Sequence, residues 1–170
     1  MLYLIDANVL ITANNTYYPI EGVPEFWEWV AHQAEAGTIK IPLEIYEEIK
    51  DGSTDEEKDL LFGWVTDHDI KKQLLLQEQV NQANVASCTV TGYAPDLTDE
   101  ELLQIGRDPF LIAYAMVSPA DRRVVTNEVS APSKQRQNRR IPDVCSTMGV
   151  MCCDTFAMLR ALGFKTGWKK

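Results

Sequence analysis

Asp6 directly follows the apolar run Leu2 to Ile5, and Glu128 follows the run Val124 to Thr126 by one residue. Asp108 precedes a proline at the start of an apolar segment, and Glu48 lies on a segment that follows a second candidate strand. In an open parallel sheet, ligands gather outside the carboxyl ends of the strands, near the point where the strand order reverses. The four carboxylates are therefore candidates for one site. Clustered without partners they would raise one another's pKa and oppose ionisation, a cost that a divalent cation removes. Hard oxygen donors in a chain with only two histidines suit Mg²⁺ or Mn²⁺, ions that keep several waters and work with substrate phosphates. Such an ion acidifies a bound water and stabilises charge developing on a phosphoryl oxygen. The implied reaction is phosphodiester hydrolysis, with Asp6, Glu48, Asp108 and Glu128 as the catalytic acids. Asp6, Asp108 and Glu128 are the first candidates for metal ligands, followed by Glu48 and Asp143. Asn8, Thr126 and Asn127 are neutral hydrogen-bonding groups suited to orienting a carboxylate or a metal-bound water. Plainer roles stand beside these: Asp6 or Asp108 as an N-cap, Glu48 as a solvated helical acid like Glu44 and Glu47, and Asn8, Thr126 and Asn127 as turn formers.

The elements that must position these groups can be read from hydrophobic spacing. Leu2 to Ile5 has the length and composition of a buried parallel strand, and Thr38 to Ile41 and Arg123 to Thr126 are further candidates. Pro24 with Phe26, Trp27, Trp29, Val30 and Ala34 has the period of an amphipathic helix stopped at Gly37, which places the tryptophans in packing rather than chemistry. Leu43, Ile45, Tyr46 and Ile49 mark a helix ending at Asp51-Gly52. Ser53 or Thr54 with Glu56 or Glu57 reads as a capping box before a helix through Trp64, and Thr98 with Glu101 repeats the pattern. Asp69 to Ala86 reads as one mostly polar helix, Gly92 to Asp96 as a loop, and Asp108-Pro109 as the N-cap and first-turn proline of a helix through Val117. Ala131 to Pro142 reads as an exposed loop, Gly149 to Cys152 as a last strand and Thr155 to Leu162 as a last helix. Short apolar strands separated by helices predict an α/β fold around a parallel sheet.

Four stretches carry a family resemblance. Tyr3-Leu4-Ile5-Asp6-Ala7-Asn8-Val9-Leu10 resembles the opening motif of PIN-domain nucleases, a strand ending in Asp with a small polar residue two positions on. The run from Pro42 to Gly52 is similar to their second motif, where a helical Glu precedes a Gly by four positions, and that register selects Glu48. Asp108-Pro109-Phe110-Leu111-Ile112-Ala113-Tyr114-Ala115 resembles the third motif, and Val124-Val125-Thr126-Asn127-Glu128 the fourth, with a Glu where the wider family usually has Asp. The order is that of the family over residues 3 to 128. The stretches YLIDAN, VVTNE and IPDVC look like those of one PIN-like subgroup long labelled as of unknown function. The resemblance implies a three-layer α/β/α sandwich with a central, mainly parallel sheet, as a single domain over residues 1 to 170; a long helical insertion at about 55 to 97, which carries no motif, departs from the family's pattern. It implies a Mg²⁺- or Mn²⁺-dependent endoribonuclease that leaves a 5′-phosphate and a 3′-hydroxyl, often the toxin of a VapC-like toxin-antitoxin pair, with an antitoxin partner and a possible homodimer. Structure-specific DNA cleavage and a non-catalytic interaction protein are the competing readings.

Charge sharpens the expectation about nucleic acid. The formal net charge of −9 divides into 6 bases and 21 acids over residues 1 to 119, or −15, and 10 bases and 4 acids over residues 120 to 170, or +6. Contact with an RNA substrate should therefore come from the last third, where Lys134, Arg136, Arg139 and Arg140 occur without an intervening acid. That segment also reads as a solvated loop or a clasp for an acidic antitoxin. No apolar run is long enough to cross a bilayer and the N-terminus lacks a basic leader, so a cytoplasmic protein without membrane contact is expected. Cys88, Cys145, Cys152 and Cys153 lack metal-ligand spacing and read as reduced thiols.

Overall fold

In a computed structural model, residues 1–53, 55 and 59–169 are described. Thr54, Glu56 and Glu57 of the first capping box, and Lys170 of the basic tail, lie outside them. Four parallel strands form the sheet in the order β2-β1-β3-β4: β1 (Leu2–Ile5), β2 (Ile39–Lys40), β3 (Arg122–Val125) and β4 (Met151–Cys153). Leu4, Ile5, Val124 and Val125 are almost entirely buried, as expected of strands covered on both faces.

The connections explain where the layers lie. From β1 the chain passes through α1 (Ala7–Thr12), a π-helical turn (Ala13–Tyr17) and α2 (Pro24–Glu35) to reach β2 on one side. From β3 it passes through α9 (Ile141–Met148) to reach β4 on the other side. Parallel crossovers are right-handed, so movement in opposite directions puts α2 and α9 on opposite faces. The result is a three-layer α/β/α sandwich whose strand order reverses between β1 and β3. α10 (Thr155–Ala161) and the C-terminal segment return to the α2 side, where Phe164 meets Phe26 and Trp29 with ring centroids 5.7 and 5.0 Å apart. Trp27 and Trp29 are core, each 2% exposed.

Between β2 and β3 run α3 (Leu43–Asp51), α4 (Leu60–Thr66), α5 (His68–Leu74), α6 (Gln82–Ser87), a second π-helical turn (Cys88–Tyr93), α7 (Asp99–Ile105) and α8 (Asp108–Met116). α8 buries Leu111, Ile112, Ala113, Tyr114 and Ala115 around its circumference, the pattern of a helix enclosed by its neighbours. The capping box of α7 forms as expected: Glu101 N–H donates to Thr98 Oγ1 at 3.3 Å and Thr98 N–H to Glu101 Oε2 at 2.9 Å.

Three local expectations are corrected. Asp69 to Ala86 is two helices rather than one, because Leu75 leaves the helix to bridge Ile41 and Asn81 caps α6 afresh. Helix α9 replaces the end of the expected loop; Arg140 is extended before Ile141 and Pro142, so the proline occupies the first turn instead of breaking a helix. Asp108 is not the N-cap of α8. Arg107 holds that position, and Gly106, at φ +52°, makes the turn into it that a side chain would oppose.

Candidate active site

The sheet register puts the first groups together. Asp6 N–H donates to Val125 O at 2.9 Å and Thr126 N–H to Cys153 O at 3.1 Å, so Asp6 and Thr126 leave adjacent strands side by side where the strand order reverses. Thr126 Oγ1 donates to Asp6 Oδ2 at 2.8 Å and accepts from Asn8 Nδ2 and from the Glu128 N–H, both at 3.1 Å. One donor and two acceptor positions exhaust a hydroxyl. Asn8 Oδ1 accepts from the Asn127 N–H at 3.0 Å, and Asn127 Oδ1 accepts from Thr155 Oγ1 at 2.6 Å. Asn8, Thr126 and Asn127 are thus joined by hydrogen bonds, and Thr126 alone of the three reaches the Asp6 carboxylate. Asp6 occupies the N-cap of α1 without a capping side-chain bond, which leaves its carboxylate directed to Thr126.

The other acids arrive from separate elements: Asp108 from the first residue of α8, Glu48 from α3, and Glu128 from the segment after β3. Burial pushes the Asp6 carboxyl up to about 7; the Thr126 hydrogen bond opposes this, and the charges of Glu48 and Glu128 add to it. Burial pushes Asp108 up to about 8, with Asp6, Glu128 and Glu48 adding in that order. Burial also raises Glu48, against the lowering effect of Arg107. Asp108 shares one cavity with Glu128 and another with Glu48, and Thr126 Oγ1 joins the Asp6 carboxylate to the Glu128 N–H, so the four acids lie around one edge of the sheet. Among the described residues, neither Asp6 nor Asp108 pairs with a cation.

Glu128 is already engaged. Its Oε2 accepts the Ile141 N–H at 2.7 Å and its Oε1 faces Arg140 Nη1 at 3.3 Å, so it ties the start of α9 to the site. Asp143 is committed elsewhere, accepting from Ser130 Oγ at 2.5 Å and the Ala131 N–H at 2.8 Å. Among the described residues no three histidine, cysteine, aspartate or glutamate side chains are gathered as a ready metal-binding group, and that includes the cysteines. The donor set nonetheless fits a hard divalent ion. Mg²⁺ takes one or two protein carboxylates and keeps its waters, and the buried carboxylates of Asp6 and Asp108 lack positive charge.

The basic segment divides by role. Arg136 grips Glu101 with Nε and Nη2 at 2.8 and 2.7 Å and reaches Asp96 with Nη1 at 2.7 Å. Arg139 donates to the carbonyls of Gly92 and Asp143 and to Thr147 Oγ1. These two arginines order the loop, because their donors are taken up by the protein. Lys134 and Arg140 border a cavity of about 200 Å³ together with Asp108, Glu128 and Arg139.

Two residues near the acids have no counterpart in the sequence reading. Tyr93, from the insertion, donates its hydroxyl to Asp108 Oδ2 at 3.3 Å. Arg107 donates from Nη2 to Asp51 at 2.6 Å while its buried Nη1 finds no acceptor among the described residues, and it lines a cavity of about 270 Å³ with Glu48 and Asp108. A buried donor without an acceptor calls for a ligand or a water. The signal available in the sequence was a cation directly before Asp108 in an otherwise acidic region.

A family model described as a domain of unknown function (DUF4411) matches residues 3–166. The chain belongs to the DUF4411 family. Neither a curated protein nor a solved structure matches it. The DUF4411 match spans all four converging acids, Arg107 and the basic segment. No helix among the described residues of this DUF4411 chain is long and apolar enough to cross a membrane.

Proposed function

We propose that this chain is a Mg²⁺- or Mn²⁺-dependent endoribonuclease of PIN-like character that acts as the toxin of a toxin-antitoxin pair. The observation that carries the reading is the convergence of Asp6, Glu48, Asp108 and Glu128, from four separate elements, with Asp6 and Asp108 held above the usual carboxylate range first by burial and then by the charges of neighbouring acids, Glu48 and Glu128 for both and Asp6 for Asp108. Such an arrangement is costly to the protein alone and becomes favourable around a divalent cation.

Asp6 and Asp108 would hold the ion, and Glu48 and Glu128 would complete its surroundings through water. When bound, the ion supplies a more acidic water and neutralises charge on the phosphoryl group. Thr126 fixes which oxygen of Asp6 stays free, because its hydroxyl proton is committed to Oδ2. Arg107 offers Nη1, which has no acceptor among the described residues, to a phosphate oxygen, and Lys134 and Arg140 draw the substrate backbone to the cavity beside Asp108. The partners in this reading are RNA, a protein antitoxin and, in family style, a second copy; the compartment is the cytoplasm.

The test compares the wild type with Asp6→Asn on RNA and on single-stranded DNA, with Mg²⁺, Mn²⁺ or EDTA. Metal-dependent RNA cleavage that leaves 5′-phosphates and disappears with Asp6→Asn is expected. Cleavage that survives both EDTA and the substitution overturns the metal mechanism, and cleavage of DNA alone moves the substrate. Growth arrest on induced expression, relieved by Asp6→Asn, is the expected sign of the toxin role.

A further inference from the structure

A second cavity shares Glu128 with the one bordered by the basic segment. It has a volume of about 640 Å³, within the range of small-ligand sites, and its lining includes Thr126, Asn127, Glu128, Asp154, Tyr17 and Phe156. Tyr17 ends the first π-helical turn and Phe156 lies in the first turn of α10. Their rings meet edge to face at 5.2 Å and 74°, yet Tyr17 is 49% and Phe156 38% exposed. Two large aromatic rings held in contact with each other and open to solvent form a wall with an unused face.

The two cavities that meet at Glu128 differ in charge. The smaller one is bordered by Lys134, Arg139 and Arg140. The larger one has no lysine or arginine among its lining residues, and its ionisable carboxylates are Glu128 and Asp154. A phosphate is attracted to the first and repelled by the second. A flat, uncharged ring with hydrogen-bonding edges suits the second, since it can stack on an aromatic side chain and exchange hydrogen bonds with Asn127 or with Asp154, whose Oδ1 caps α10 at 2.6 Å from the Ala157 nitrogen.

We propose that this cavity is a nucleobase subsite: a base next to the phosphate held at the acids turns into it and packs on the Tyr17–Phe156 wall. Glu128 divides the base from the backbone. The inference rests on the reading that the acids act on nucleic acid, and it assigns that reading a specificity pocket.

The experiment is calorimetric titration without divalent metal, using adenosine and cytidine 5′-monophosphates against ribose 5-phosphate as the base-free probe. Each is titrated into the wild type, Tyr17→Leu, Phe156→Leu and the double variant, with circular dichroism confirming that each variant is folded. At least one nucleotide should bind the wild type about tenfold or more tightly than ribose 5-phosphate, in line with base stacking on an aromatic side chain. The double variant should abolish that difference. Equal binding of nucleotides and sugar phosphate overturns the proposal, as does undetectable nucleotide binding or a preference that survives in the double variant. Because no metal or cleavage is involved, the outcome is separable from the nuclease test. RNA cleavage without base-dependent binding overturns the subsite alone, and base-dependent binding without cleavage overturns the nuclease reading alone.

Discussion

Thr126 Oγ1 stands 2.8 Å from Asp6 Oδ2 and is the only hydrogen-bonding group in the described structure that donates a side-chain hydrogen to that carboxylate. The two residues are 120 positions apart and are neighbours because β1 and β3 are parallel and in register. The Asp6 carboxylate is thus oriented by the sheet itself.

Replacing Thr126 by Val keeps the shape and removes one donor and two acceptor positions. Stability should fall by about 1–3 kcal/mol, since Asn8 Nδ2 and the Glu128 N–H lose their acceptor. Metal-dependent cleavage should drop by about 10- to 100-fold, the usual cost of losing a group that orients a ligand. Thr126→Ser should restore most of both. Urea denaturation and initial rates check this, and full activity in Thr126→Val would show that Asp6 needs no such support.

The acid site should make the metal-free protein less stable as pH rises. The Asp108 carboxyl titrates near 3.8 in an unfolded chain and at about 8 when folded. Between those values the folded state holds a proton that the unfolded state has lost, so unfolding free energy falls with rising pH and the penalty is complete above about 8. Asp6 adds the same sign over the window from 3.8 to about 7. Asp108→Asn should therefore melt above the wild type by an amount that grows from pH 4 to pH 8, on the order of a few kcal/mol at the top. Mg²⁺ should close most of the gap by stabilising the wild type. A difference that stays flat across that pH range would mean that the carboxyl is not held protonated.

Arg107→Gln should lower cleavage by tenfold or more and leave stability within about 1 kcal/mol, because the pair it makes with Asp51 is largely exposed on the Asp51 side. Arg107→Lys should not rescue the loss, since a single ammonium cannot hold Asp51 and a phosphate at once. Thermal melting beside kinetics separates the roles. A collapse in melting temperature with normal turnover would assign Arg107 to the fold instead.

A Cβ placed on Gly92 would stand 2.7 Å from Val144 Cγ1, a stiff and fully buried side chain on α9. Gly92→Ala should cost about 1–3 kcal/mol by overpacking, and Val144→Ala in the same chain should recover part of it. The double-mutant cycle measures the coupling directly. Additive losses would mean that the π-helical turn and α9 are not packed as tightly as their approach implies.

The sheet was legible wherever burial acts locally. Leu2 to Ile5 and Arg123 to Thr126 announce strands because both faces are covered, and Thr98 and Glu101 announce a cap because the bonds are three residues apart. Asp6, Asp108 and Glu128 stood out by their places at or just beyond element ends, whereas Glu48, inside α3, was singled out by the register of the motif it resembles. What could not be read were groups whose meaning depends on distant partners. Tyr93 reaches Asp108 only because Gly92 lets its turn approach α9. Arg136 and Arg139 looked like substrate contacts in a run of bases, yet their donors go to Glu101, Asp96 and backbone carbonyls contributed from outside the run. Helix α9 was hidden for a related reason: a proline signals a break or a first turn with equal force until its predecessor's conformation is known.

The two outer strands are the shortest, two residues in β2 and three in β4. The outer edge of β2 is also closed off, since Ile41 N–H donates to Leu74 O and Leu76 N–H to Ile41 O. Such blunt margins offer little backbone for another chain to extend the sheet. Helices and side chains are accordingly the larger surface from which a lasting assembly of this protein could be built.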